Sequence, residues 1–116
     1  MSGIHISFYL KAGRIHVFSQ SLRCLGNPGR ICFLIARDGQ TLMMRPHKSR
    51  DFISHKVPRE VYGGGRPFEV SSRRLCRVLS GIHGWDCNCS YRAPGKAAEG
   101  SKEILFFLDK ADMLCV

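Results

Sequence analysis

At 116 residues, 44% of them hydrophobic, the chain can bury one moderate core and is too short for two independent ones, so a single compact domain over residues 1–116 is expected. A formal charge of +9 draws polyanions, nucleic acid above all, although a solvated basic surface that merely keeps a protein soluble is the plain alternative. No stretch approaches the roughly 20 apolar residues of a membrane span, and the N-terminus lacks the basic start, apolar run and small-residue cleavage site of a signal peptide, which predicts a cytoplasmic protein with no membrane partner.

Ile4, Ile6 and Phe8 alternate within residues 4–10 with the period of a half-buried strand. Lys11-Ala12-Gly13 makes a turn, and residues 14–18 alternate again, with Ile15 and Val17 on one face and Arg14, His16 and Phe18 on the other. Two antiparallel strands with a tight connection follow from that pattern. Ser19 reads as the N-cap of a short helix through Leu25, and Gly26-Asn27-Pro28-Gly29 stops it. A helix that short is stable only when it packs on the strands.

Residues 31–36 form a continuous apolar run of strand length, the mark of burial on both faces. Asp38-Gly39 supplies the positive φ angles of a hairpin turn, and residues 40–44 return as the partner strand. Residues 45–66 change character: Arg45, His47, Lys48, Arg50, Lys56, Arg59 and Arg66 are interleaved with Pro46, Pro58 and Gly63-Gly64-Gly65. This reads as a connector with a strand between Phe52 and Val57.

Phe68-Glu69-Val70 then gives a short strand, Ser71 or Ser72 caps a helix, and Leu75, Val78 and Leu79 fall at i, i+3 and i+4 on one helical face. Beyond Gly81, Gly84 and Trp85, the last a core anchor for this helix, come Cys89-Ser90-Tyr91-Arg92, a Pro94-Gly95 turn region and an apolar strand over 104–108. Residues 18–25 and 70–79 share an order: apolar residue, serine cap, then leucine and cysteine near an arginine. A degenerate internal repeat follows, with pseudo-repeats 3–46 and 66–114 joined by a basic Pro/Gly-containing connector, 47–65. The predicted fold is mainly β with two short helices (α+β), each half reading strand, helix, strand, strand.

Charge is uneven along the chain. Residues 1–50 hold eight Lys/Arg against the single acid Asp38, whereas residues 51–116 hold ten against eight. The six cysteines, Cys24, Cys32, Cys76, Cys87, Cys89 and Cys115, suit reduced packing residues in a cytoplasmic chain rather than a disulfide framework.

Gly13-Arg14, Arg23-Cys24-Leu25-Gly26 and the hairpin over 31–44 fall in the order and nearly the spacing of the SpoVT/AbrB swapped-hairpin family, which the first half resembles over residues 3–46 and the second half more weakly over 66–109. The sequence departs from the family pattern at Phe18, where a proline usually opens the helix, and at Pro67, which follows Gly65-Arg66. The resemblance implies a small pseudo-twofold β-barrel closed within one chain, as in tandem MraZ-like proteins, and the activity of a DNA-binding transcriptional regulator or antitoxin. Double-stranded DNA is the partner so implied, with a protein partner or a second copy as the other possibility.

Arg14 and Arg23, with Lys11 in the turn beside them, are the first candidates for DNA contact. Arg73, Arg74 and Arg77 lie in the first turns of a helix, where positive charge opposes the macrodipole, and three cations there point to an anionic partner. Arg45, Lys48 and Arg50, with His47, make a run able to track a phosphate backbone, or an ordinary solvated loop. Phe8, Tyr9, Phe18 and Tyr91 can stack on bases, although aromatic residues in alternating strands more often fill a core.

His83, Cys87 and Cys89 lack the paired Cys-x-x-Cys halves of a structural zinc site, so no metal and no cofactor are expected. No Gly-x-Ser-x-Gly, Walker or His-Glu-x-x-His signature is present, so no catalytic residue is assigned. Two other readings stay open: a protein-interaction module on the same fold, and an RNA-processing enzyme built on His16 with Arg14 or His47 with Lys48.

Overall fold

Strands β1 (His5–Tyr9) and β2 (Arg14–Val17) pair antiparallel in the register Ile6 to Val17 and Phe8 to Ile15. The computed structural model describes residues 4–51, 53–63 and 67–114. In the connecting turn the Gly13 amide donates to the Leu10 carbonyl at 3.1 Å, and Gly13 takes φ +66°. Helix α1 (Ser19–Cys24), β3 (Arg30–Ile35) and β4 (Thr41–Pro46) complete the first half. The second comprises β5 (Ser54–Lys56), a single helical turn α2 (Arg59–Tyr62), β6 (Phe68–Ser71), α3 (Arg73–His83), β7 (Ser90–Ala97) and β8 (Ile104–Phe107). A 3₁₀ turn at Leu108–Lys110 leads into β9 (Asp112–Leu114), which pairs with β7.

The strands follow one another in the order β5-β3-β4-β8-β7-β1-β2-β6, a nearly closed eight-stranded antiparallel barrel. Exchanging β1 with β5, β2 with β6, β3 with β7 and β4 with β8 returns the same ring, with the seam between β5 and β6 answering to the β1–β2 hairpin. The pairs β2–β6 and β4–β8 each map onto themselves, so each half completes the other's sheet. That matters because a half alone buries too little apolar surface to stand by itself.

One core fills the barrel. Ile6, Phe8, Ile15 and Val17 enter it from β1 and β2; Ile31, Leu42 and Met44 enter from β3 and β4; Tyr91, Ile104 and Phe106 enter from β7 and β8. Leu22 of α1 and Leu79 of α3 cap it, both fully buried. Trp85 packs against this core, its ring 4.7 Å from Tyr91 and 5.4 Å from Phe8.

Several local expectations are corrected. Ser19 is the first helical residue of α1, and Phe18 holds the N-cap position at φ −76° and ψ 142° with no side-chain cap. Those are angles a proline can adopt. In β3 only Ile31 and Cys32 are buried; Phe33 and Ile35 are half-exposed where they line a groove beside α3, and Leu34 is half-exposed on the opposite, outer face. At the β3–β4 hairpin only Gly39 has positive φ, and Asp38 acts through its carboxylate, which accepts from the Gln40 amide at 2.9 Å.

Pro94-Gly95 is not a turn. β7 runs through it, pairing with β1 up to Pro94 and with β8 from Gly95, and the reversal comes later, where the Ala98 amide donates to the Glu103 carbonyl. The strand 52–57 is observed as β5, with Phe52 outside the described residues, as are Gly64, Gly65, Arg66 and Cys115. In α3 the buried face is Cys76, Leu79 and Ser80, and Val78 is exposed. Ser72 rather than Ser71 caps that helix, accepting from the Leu75 amide at 3.2 Å. Among the described residues no helix is long and apolar enough to cross a membrane.

Candidate nucleic-acid interface

The β1–β2 turn is seated on the first turn of α3. The Ser72 amide donates to the Gly13 carbonyl at 2.9 Å, and a Cβ on Gly13 would lie 2.4 Å from Arg73 Cγ. Only glycine permits both that approach and the positive φ. The contact brings Lys11 to Arg73 and Arg77, one helical turn apart, although more than half the chain separates them in sequence.

These three cations line a cleft of about 220 Å³ with Leu10, Cys76, Ser80, Cys87 and Asn88, and no carboxylate lines it among the described residues. The nearest acid in sequence, Asp86, instead accepts from the Asn88 amide at 2.9 Å. Lys11, Arg73 and Arg77 are exposed and make no ion pair among the described residues. Burial pushes the Cys76 thiol up, against the opposing pull of Arg73, so the cleft holds a neutral thiol rather than a nucleophilic thiolate. Charge at the start of α3 is therefore wholly positive, where the helix dipole alone favours an anion.

The other candidate cations lie elsewhere. Arg14 projects from β2 and faces Glu69 of β6 at 3.9 Å, a long, exposed pair that leaves the guanidinium accessible. Arg74 lies on the side of α3 that faces β3 and β5. Arg23 is in the last turn of α1, and Arg45 on β4 donates from Nε to Glu103 at 3.1 Å. Lys48 and Arg50 are exposed in the loop where His47 pairs with Asp51 at 2.9 Å. The fold thus unites Lys11, Arg73 and Arg77, places Arg14 on the same β1–β2 hairpin outside the cleft, and engages Arg45 with an acid.

Phe8 and Tyr91 are core residues, but Tyr9 and Phe18 are half-buried on the outer face of the barrel, where Arg92 of β7 also lies. Arg92 escaped the sequence reading because nothing local links it to residues more than 70 positions earlier. His16 is stacked on Phe18 with ring centroids 4.5 Å apart. Among the described residues no three His, Cys, Asp or Glu side chains gather as a metal site, and His83 Nε2 lies 2.8 Å from the Gly39 carbonyl.

A second groove, of about 270 Å³, opens between α3 and β3–β5, lined by Phe33, Ile35, Ile53, His55, Leu75 and Val78 among others. Burial, helped by the charge of Arg30, holds His55 below its ordinary value of 6.5. The unfolded chain then binds the proton more readily, so this contribution to stability is complete above about pH 6.5 and is lost as pH falls through the folded value. Melting temperature measured by circular dichroism is expected to fall on acidification below pH 6.5, and to fall less in His55→Gln. Asp51, held low chiefly by its hydrogen bond to His47, adds a loss only in more acidic solution, below its ordinary 3.8.

Comparison of the chain with protein-family models, with curated proteins and with solved structures finds no match.

Proposed function

We propose that this protein binds double-stranded DNA through the edge formed by the β1–β2 turn and the first turns of α3, as a small regulator or antitoxin-like protein would. The observation that carries the reading is the cleft in which Lys11, Arg73 and Arg77 converge with no carboxylate among the described residues to neutralise them. Three cations held together in one place repel one another, and a phosphate backbone relieves that repulsion while releasing its own counterions. Arg14 on the adjoining strand and Arg74 on the far side of the helix extend the positive edge, in keeping with the resemblance of the Gly13-Arg14 turn to the SpoVT/AbrB pattern.

The mixed picture for the remaining candidates supports a localised footprint. Arg45 is engaged by Glu103, and Arg14 is loosely matched by Glu69, so they add less to phosphate binding than the cleft cations. We read the chemistry as binding, a reading supported by the stacking of His16 on Phe18 and by the burial that keeps the Cys76 thiol protonated. Fluorescence anisotropy with a labelled duplex tests this directly. Binding at low salt should weaken steeply as salt rises, and the absence of any binding at low salt rejects the proposal.

A further inference from the structure

The outer face of β1, β2 and β7 carries a row of π-surfaces that the core does not need. Arg14 and His16 face outward on β2, Phe18 follows them at the N-cap of α1, and β1 contributes Tyr9 beside them. The His16 and Phe18 rings are stacked at 17° to one another, Tyr9 lies 6.4 Å from His16, and the Arg92 guanidinium sits 5.5 Å from the Phe18 centroid. Ser7 forms the floor. Though outward-facing it is fully buried, because it is small enough for Arg92 to lie across it and donate from Nε to its hydroxyl at 3.3 Å.

We propose that this face binds single-stranded nucleic acid, taking unpaired bases against Tyr9 and against the Phe18 face that Arg92 covers, the guanidinium moving from ring to phosphate, with His16 backing the Phe18 ring and Lys11 and Arg14 meeting the neighbouring phosphates. Two features select that occupant. Ring faces can engage only bases that are free of a duplex stack, since paired bases present edges and not faces to a protein. Outward side chains on a strand repeat every ~6.7 Å, about twice the ~3.4 Å rise of a stacked nucleic-acid strand, which suits an extended, unstacked chain. Cations also flank the row at both ends: Lys11 and Arg14 at the hairpin turn, and Arg92 beside Phe18. An apolar protein partner has no use for that arrangement.

The site stands on residues distinct from the duplex-binding edge apart from Lys11 and Arg14, so the two can fail separately. Binding of a labelled oligothymidine 12-mer and of a duplex of equal length is measured for the wild type, Phe18→Ala, Phe18→Leu and Phe18→Trp. Loss of one stacking ring is expected to weaken oligothymidine binding about tenfold in the alanine and leucine variants, with recovery in the tryptophan variant and little change for the duplex. Phe18→Leu keeps the apolar bulk, so it serves where the alanine variant fails to fold. Oligothymidine titrated into the wild-type protein should also shift the NMR ring-proton resonances of Phe18, His16 and Tyr9. Unshifted rings, wild-type affinity in Phe18→Leu, or no oligothymidine binding at low salt would each overturn the proposal.

Discussion

Replacing Lys11, Arg73 and Arg77 together by alanine is expected to abolish most of the salt-sensitive affinity for duplex DNA while leaving the fold intact. The three side chains are exposed, take part in no ion pair among the described residues, and carry no part of the core. Each phosphate contact contributes about 0.9 to the slope of log K against log salt, so losing three should flatten that slope by roughly 2.7. A second triple variant, Lys48, Arg50 and Lys102 to alanine, removes the same charge from loops that do not line the cleft. If net charge alone governs binding, the two triples will behave alike; if the cleft is the footprint, the first will lose far more. Arg74→Ala, on the other side of the helix, should fall between them. Equal slopes for wild type and the cleft variant would refute the assignment of this edge.

That experiment turns on a contact invisible to any local pattern. The alternation of Ile15 and Val17 against Arg14, His16 and Phe18 is carried entirely by side chains two apart, so the faces of β2 can be read directly from residues 14–18. Burial of the Ile31 and Cys32 end of β3 is likewise foreshadowed by its apolar run. The meeting of Lys11 with Arg73 and Arg77 has no such signal. It depends on the Gly13 carbonyl accepting from the Ser72 amide, a long-range bond fixed by the pairing of β2 with β6.

The misreadings share a cause. Val78 has the right spacing for an amphipathic face, but the seam between β5 and β6 leaves that side of α3 without a complete cover, and the side chain is exposed. Arg92 looks like any strand arginine until Ser7 and Phe18 are placed beside it. Pro94-Gly95 carries a strong local turn signal, yet the same two residues serve a strand that changes neighbours: the proline sits where a ladder ends, and the glycine where a partner comes too close for a side chain.

That last point predicts opposite outcomes for two glycine substitutions. At Gly95 an added Cβ would lie 2.6 Å from Phe106 Cδ1 and 2.8 Å from the Leu105 carbonyl oxygen. Phe106 is fully buried and Leu105 contributes backbone, so neither can give way without moving β8 or the core. Gly95→Ala should therefore cost about 3 kcal/mol, the overpacking range, a large share of the stability of a domain this size. Gly81 lies in α3 with nothing within 4 Å of an added Cβ and no positive φ. Gly81→Ala should stabilise the protein by roughly 0.5–1 kcal/mol, because alanine lowers the conformational freedom of the unfolded chain and fits the helix without strain. Urea denaturation of both variants beside the wild type measures the pair. A neutral Gly95→Ala would mean that β7 and β8 do not pair this closely at Gly95, and with it the closure of the barrel that holds the β1–β2 turn against α3 would have to be redrawn.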